Sequence, residues 1–212
     1  MLFRSLTWIG SIGKQINVCV SWADGPFKTL DDIFKNEMKV SATGNTGWRA
    51  ILPRMYGNIA GAKLKVIMGY ETTASMLAVE RGEVDGICTT FETLAATQAD
   101  WIEKKRIIFL AQFGAKPIAG LEDVPNGLTR VKDSQDLKAV KLVLLQQEFG
   151  RPYVGPPSIP AERLAALRTA FDKTMADATF LNEAKKAGML VDALTGGDID
   201  AMLKEAYAAP ND

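Results

Sequence analysis

The 212-residue sequence predicts an α/β fold, a mostly parallel sheet with helices on both faces, followed by C-terminal helices. Two observations point there. Short runs rich in Val and Ile recur five times between residues 17 and 113, and each is followed by a turn and a stretch of helical period. Connections of that length are crossovers, which place successive strands side by side in one direction and bury both faces of the sheet. A third observation separates the end of the chain. Beyond residue 131 the apolar residues fall on helical stripes instead.

The elements follow in order. Asn17 to Trp22 (NVCVSW) reads as a strand, and Asp24-Gly25-Pro26 turns the chain after it. Thr29 caps a short helix to Phe34, with Asp31 and Asp32 in a first turn where the helix dipole favours negative charge. Met38 to Ala42 is the second strand. It runs into Thr43-Gly44-Asn45-Thr46-Gly47 and a helix to about Ile59, which Pro53 should kink or tighten. Leu64 to Met68 is the third strand, ending at Gly69-Tyr70. The helix behind it carries Ala74, Leu77, Ala78 and Arg81, and Gly82 is placed to stop it. Asp85 to Thr89 and Ile107 to Phe113 are the fourth and fifth strands, with helix from about Phe91 between them.

Residues 117–131 read as a loop, Asp133 to Gln147 as a helix, and Gly150 to Pro157 as an extended crossing. Three helices close the chain. The first carries Leu164, Leu167, Phe171 and Met175 on one stripe after Pro160. The second runs from Asp177 as cap to Gly188 as stop. The third places Ile199, Met202, Leu203, Ala206 and Tyr207 on one face, with Thr195 and Asp198 as a cap pair.

Composition narrows the function. Twenty-five basic residues balance twenty-five acidic ones, which argues against broad electrostatic binding to nucleic acid or an anionic membrane surface. There is no histidine, so Ser-His and Cys-His catalysis within the chain and His-ligated zinc are excluded. No catalytic residue, metal or cofactor is expected. Cys19 and Cys88 are too few for a disulfide framework. One bridge is possible, but two reduced, buried thiols are the favoured expectation. No apolar stretch approaches the roughly 20 residues of a membrane span. Arg4 interrupts the apolar start and no cleavage site follows, so no signal peptide is read. Taken at face value the chain is cytoplasmic if Met1 is its natural start, or else lacks its beginning.

Two loops are candidate ligand sites, because ligands of open α/β sheets lie beyond the carboxyl ends of the strands. Ser41-Ala42-Thr43-Gly44-Asn45-Thr46-Gly47 joins a strand end to a helix start, where small residues allow close approach and free amides favour an anion. It has neither a G-x-G-x-x-G pattern nor a P-loop lysine, so nucleotide binding is not supported. Spacing alone allows equally a plain tight turn with Thr46 as helix cap. Gly69-Tyr70-Glu71-Thr72-Thr73 is the second such loop. There Thr72 and Thr73 offer hydroxyl donors and Tyr70 a wall, although spacing alone favours simple capping. Cys88-Thr89-Thr90-Phe91 is a further strand end suited to line the same crevice. The carboxylates of Glu80-Arg81-Gly82-Glu83-Val84-Asp85-Gly86 read as structural, and Cys88 has no histidine to activate it as a nucleophile.

Together these blocks resemble the solute receptors of tripartite tricarboxylate transporters, the Bug family. The resemblance rests on Trp8-Ile9-Gly10, on Asn17-Val-Cys-Val20 with Asp24-x-Pro26-x-Lys28-Thr29, and on Ala42-Thr43-Gly44 and Gly69-Tyr70. It continues through Ala78-x-Glu80-Arg81-Gly82-Glu83-Val84-Asp85-Gly86 and Gly150-Arg151-Pro152-Tyr153-Val154-x-Pro156-Pro157-x-x-Pro160-Ala161-Glu162-Arg163. It runs in order from about Leu6 to Ala208, and the combination is specific where no single piece is.

The resemblance implies a periplasmic, two-lobed, hinged binding protein that catalyses nothing, captures a small organic carboxylate and delivers it to a membrane permease. Residues 18–149 are then a nearly complete second lobe. Residues 1–17 and 150–212 are a mainly helical remnant of the first lobe and the hinge crossing. Carried over by position, the ligand-binding residues are Thr43, Gly44, Asn45 and Thr46, with Gly69, Tyr70 and Thr72 beside them. Where many relatives have Pro-Gly after Gly-Tyr this sequence has Glu71-Thr72, and a carboxylate there repels an anion unless it points outward or meets a cation. The Pro-Gly-Gly loop of the first lobe does not occur here. Weak binding is therefore expected, together with a homodimer through an exposed remnant surface, or else a chain that serves only as an interaction protein.

Overall fold

The computed structural model describes residues 6–208, and two compact units emerge: Ile16–Lys141, and Met1–Gln15 with Leu142–Asp212. In chain order the elements begin with β1 (Thr7–Ser11), β2 (Asn17–Trp22), α1 (Asp32–Lys35), β3 (Met38–Ala42), α2 (Trp48–Ala60) and β4 (Leu64–Met68). They continue with α3 (Thr72–Glu80), β5 (Gly86–Thr90), α4 (Phe91–Thr97), α5 (Ala99–Glu103) and β6 (Ile107–Gln112). A 3-10 turn at Gly127–Arg130 precedes α6 (Ser134–Leu144), α7 (Gln146–Phe149) and β7 (Pro152–Gly155). The last elements are α8 (Ala161–Met175), α9 (Ala178–Lys186), β8 (Leu194–Thr195) and α10 (Gly196–Ala208).

The larger unit is built on a five-stranded sheet in the order β4-β3-β5-β2-β6. β3 pairs in parallel with β4 and with β5. Every residue of β2 from Asn17 to Ser21 and of β5 from Gly86 to Thr89 is buried, so the central strands are covered on both faces. Small and β-branched residues (Val18, Cys19, Val20, Ile87, Cys88) suit that position. Val18, Val20 and Ile87 pack with Met76 and Val79 of α3, Leu94 of α4 and Trp101 of α5. Trp101 Nε1 donates to Glu80 Oε1 at 2.9 Å, and Asp85 Oδ2 accepts from the Lys39 amide at 2.7 Å, so two acids of the Glu80–Gly86 block are engaged in the scaffold. Tyr56 of α2 meets Phe113 and Phe34 edge-on at 4.9 and 5.8 Å, and its hydroxyl donates to the Gly127 carbonyl at 2.9 Å.

One strand departs from the expected direction. Four of the five run the same way, but β2 is antiparallel to both β5 and β6. The reason is length. A six-residue strand spans about 20 Å, and a four-residue helix such as α1 returns only about 6 Å. The segment between β2 and β3 therefore stays at one end of the sheet, and β3 sets off in the opposite direction.

That reversal also corrects the expectation of two free thiols. Antiparallel pairing sets Cys19 directly opposite Cys88, with their Cα atoms 4.0 Å apart, and the two form a disulfide. Nothing in a separation of 69 residues shows this register.

The second unit holds a three-stranded antiparallel sheet in the order β7-β1-β8. β1 is not among the strands expected from the sequence, and the two residues of β8 are too few to stand out as one. Its core is Trp8, Phe149, Ile199 and Leu203, with Trp8 and Phe149 rings 5.6 Å apart. Segment 142–149 packs here through Phe149, so the chain crosses between units at 141/142 where 149/150 is expected from the sequence. The expected single helix over 133–147 breaks at Leu145 into α6 and α7. A Cβ on Gly10 would collide with the Phe171 ring of α8, so that close approach needs glycine. Arg168 of α8 donates to the Trp8 carbonyl at 2.9 and 2.7 Å and pairs with Asp200 at 2.6 Å.

The caps of the last two helices form as the sequence indicates. Asp177 accepts from the Phe180 amide at 2.8 Å. Thr195 and Asp198 cap each other reciprocally, Thr195 Oγ1 donating at 2.6 Å and the Asp198 amide returning a bond at 3.1 Å. Ile199 and Leu203 are buried and Met202 is half-buried. The side chains of Ala206 and Tyr207, like Arg4, lie outside the described residues.

Candidate ligand site

The site is built in the larger unit from the two strand-end loops. β3 lies between β4 and β5, and the chain passes from β3 through α2 outward to β4, then back through α3 to β5. Such a reversal of strand order opens a crevice beyond the carboxyl ends of the strands. The loops after β3 and β4 meet there. The Gly69 amide donates to the Thr43 carbonyl at 3.3 Å, and the Tyr70 amide donates to the Ala42 carbonyl at 3.2 Å. Gly69 holds φ at +99°, a backbone conformation that suits glycine and starts the turn into α3.

Both helices that follow begin without a side-chain cap. The N-cap of α2 is Gly47, not Thr46, and that of α3 is Glu71; no side chain accepts from the first-turn amides of either. Simple capping by Thr46, Thr72 or Thr73 is therefore corrected. At α4, by contrast, Thr90 accepts from the Thr93 amide, so the strand end after β5 is spent on a cap. Two uncapped helix starts, each with about half a positive charge, stand side by side at one end of the sheet.

Thr43, Asn45, Thr46, Gly69 and Thr72 are exposed, and Gly44 is half-buried. Asn45 Oδ1 accepts from Arg54 at 2.9 Å, and Arg54 also reaches the Met68 sulfur at 3.6 Å. Tyr70 brings its backbone to the loops, while its ring packs against the core and its hydroxyl donates to Glu83 at 3.2 Å. Partial desolvation, first, and the Glu83 carboxylate, second, raise the Tyr70 pKa.

Two residues, Arg49 and Ser75, lie outside the loop motifs. Arg49, in the first turn of α2, is half-buried and reaches Ser75 Oγ on α3 at 3.5 Å, the outer limit of a hydrogen bond. Ser75 is buried and donates to the Tyr70 carbonyl at 3.1 Å. Burial lowers the Arg49 pKa, and attraction to Glu71 works against that shift. Glu71 itself is exposed. Ser41, buried near the end of β3, has a hydroxyl without a partner in the structure. The one available signal for Arg49 was its place within a turn of a glycine-rich helix start. Ser75 gave none, whereas Ser41 opens the first loop motif. Among the described residues no group of three or more His, Cys, Asp or Glu side chains could hold a metal ion, and no helix is long and apolar enough to cross a membrane.

No family model and no curated protein matches the chain. Solved structures do. The fold is similar to that of a TctC solute-binding protein from Polaromonas, with a TM-score of 0.67 and 16% identity over 97% of this chain and 67% of that one. MatC from Rhodopseudomonas palustris, solved with bound malate, gives 0.63 and 12% over 96% and 67%. The periplasmic binding protein BugD gives 0.61 and 18% over 96% and 66%. The chain spans about two thirds of the length of each. It has the fold of the periplasmic solute-binding proteins of the TctC and Bug type.

Proposed function

We propose that the protein is a solute receptor of this type, which binds a small organic carboxylate on its larger unit and presents it to a membrane permease without catalysis. The observation that carries this reading is the pair of uncapped helix starts held together by the Gly69 and Tyr70 amides. Amides there satisfy an anion directly, in a place where capping side chains would otherwise compete. Thr43, Gly44, Asn45 and Thr46 supply one wall, and Gly69, Tyr70 and Thr72 the other, Tyr70 through its backbone. The work of this protein lies outside the cytoplasm, in the periplasm, where a Cys19–Cys88 disulfide persists. Donors from one unit, open to water, support a dissociation constant near millimolar, roughly −4 kcal/mol.

Thermal denaturation with di- and tricarboxylates, malate among them, tests the reading. At ten times a millimolar constant, binding adds about 1.4 kcal/mol, a rise of roughly 3–6 °C at this chain length. Thr46→Val should reduce the rise by removing a hydroxyl from the wall. An unchanged melting temperature with every acid overturns the proposal.

A second reading, an interaction protein that dimerises, draws on α8, which buries none of its 15 residues and leaves Leu167 42% exposed, and on Leu181 of α9, 38% exposed. Sedimentation separates the two, because a dimer without any carboxylate response fits only the second.

A further inference from the structure

We infer that Arg49 is the charged contact for the carboxylate. The inference rests on the receptor reading above and names a residue which that reading does not need. Arg49 sits one residue into α2, where the β3 loop enters the helix, and reaches across to Ser75 on α3. Its side chain therefore lies where the two helix starts converge.

Its surroundings leave it underused. A guanidinium carries five donors, and the contact to Ser75 at 3.5 Å engages one of them loosely. Ser75 meanwhile spends its own hydrogen on the Tyr70 carbonyl, so its oxygen is free to accept. The guanidinium is partly desolvated, which strengthens any bond it makes to an anion. Glu71 attracts it electrostatically but forms no ion pair with it among the described residues, and Glu71 is itself exposed. Arg54, the other arginine of α2, is committed to Asn45 and Met68. A carboxylate at the helix starts thus meets a planar two-pronged donor beside the amides. Substrates with a carboxylate at one end fit this arrangement, and neutral analogues such as amides do not.

The test uses the full 212-residue chain and two probes, sodium acetate and sodium malate, titrated against sodium chloride at matched ionic strength. Amide resonances of Thr43–Thr46 and the Nε–H resonance of Arg49 are followed by NMR, the latter assigned by its loss in Arg49→Gln. Saturable movement of the Arg49 Nε–H, about tenfold weaker malate binding in Arg49→Gln and about threefold tighter binding in Glu71→Gln are expected. Arg49→Lys, which keeps the charge but loses the fork, should fall between Arg49→Gln and the parent. If the loop amides move while Arg49 stays still and Arg49→Gln binds as the parent does, Arg49 is not the contact and the receptor reading survives. If neither the amides nor Arg49 respond to either probe, both fall. Should Arg49→Gln fail to fold, Arg49→Lys assigns the Arg49 resonance by its loss, and the response of that resonance in the parent together with the Arg49→Lys affinity still decides.

Discussion

The two units solve the problem of burial in different ways. In the larger one, strands β2 and β5 are covered on both faces, a disulfide ties them together, and helices α3, α4 and α5 close one core around Trp101. In the smaller one, a sheet of three short strands buries Trp8 against Phe149 and α10, while α8 runs for 15 residues without burying one of them. A helix of that length gains most of its stability from packing an apolar face. Its hold on the unit is instead local: the Phe171 ring beneath Gly10 and the Arg168 bonds to Trp8 and Asp200. The lesson is that a fold can be recognisable in both halves while only one half covers its central strands on both faces. The candidate site belongs to that half, on rigid strand ends.

Substitutions graded by size sharpen this contrast. The largest effect is expected in the larger unit. Replacing Cys19 and Cys88 together by Ala reopens a loop of 69 residues and should cost about 4 kcal/mol. Urea denaturation read by tryptophan fluorescence measures it. A loss under about 1 kcal/mol would mean that packing alone holds β2 between β5 and β6.

A medium effect is expected in the smaller unit. Thr195→Ala removes the reciprocal cap of α10 and should cost about 1 kcal/mol at neutral pH. The effect carries a pH signature. The Thr195 hydroxyl, first, and its amide, second, hold the Asp198 carboxyl below the ordinary aspartate range. The folded state then binds this proton less readily than the unfolded state, so stability rises with pH. The contribution is complete above the unfolded value of about 3.9 and fades as pH falls through the lowered folded value. Asp198 is exposed, so solvent screening keeps the pH-dependent part small. Thermal melts of parent and Thr195→Ala at pH 7 and pH 2.5 should converge at the lower pH. Equal separation at both values would detach the cap from the ionised carboxylate.

The smallest effect tests the bare face directly. Leu167→Ser should cost less than about 1 kcal/mol, since the side chain is 42% exposed and the loss is mainly of helix propensity. A loss above about 1.5 kcal/mol in dilute, monomeric protein would mean that α8 is better packed than its exposure indicates.

Much of this was legible beforehand, and particular residues show why. The runs at 17–22, 38–42 and 64–68 agree with β2, β3 and β4 in full, because apolar period and flanking turns are local signals. The Thr195–Asp198 and Asp177 caps were readable for the same reason, since each involves residues within three positions. The proximity of the two loops followed from both succeeding parallel strands. What the motifs did not contain was Arg49 and Ser75, whose importance arises from their meeting across the two helix starts. Thr46 misled in the other direction: its spacing suits a cap, but the backbone places Gly47 at the N-cap.

By itself the sequence determined the α/β class, the strand positions of the larger unit, most helices, the absence of histidine chemistry and the two strand-end loops. All of these depend on residue type or on neighbours within a few positions. The tertiary structure alone decided the direction of β2, and with it the Cys19–Cys88 bond. It also decided the meeting of Arg49 with Ser75, and the exposure of Leu167 on α8. Each of these is a relation between segments far apart in the chain. Side-chain pattern has a period of two or 3.6 residues and carries no record of which distant strand or helix will stand opposite.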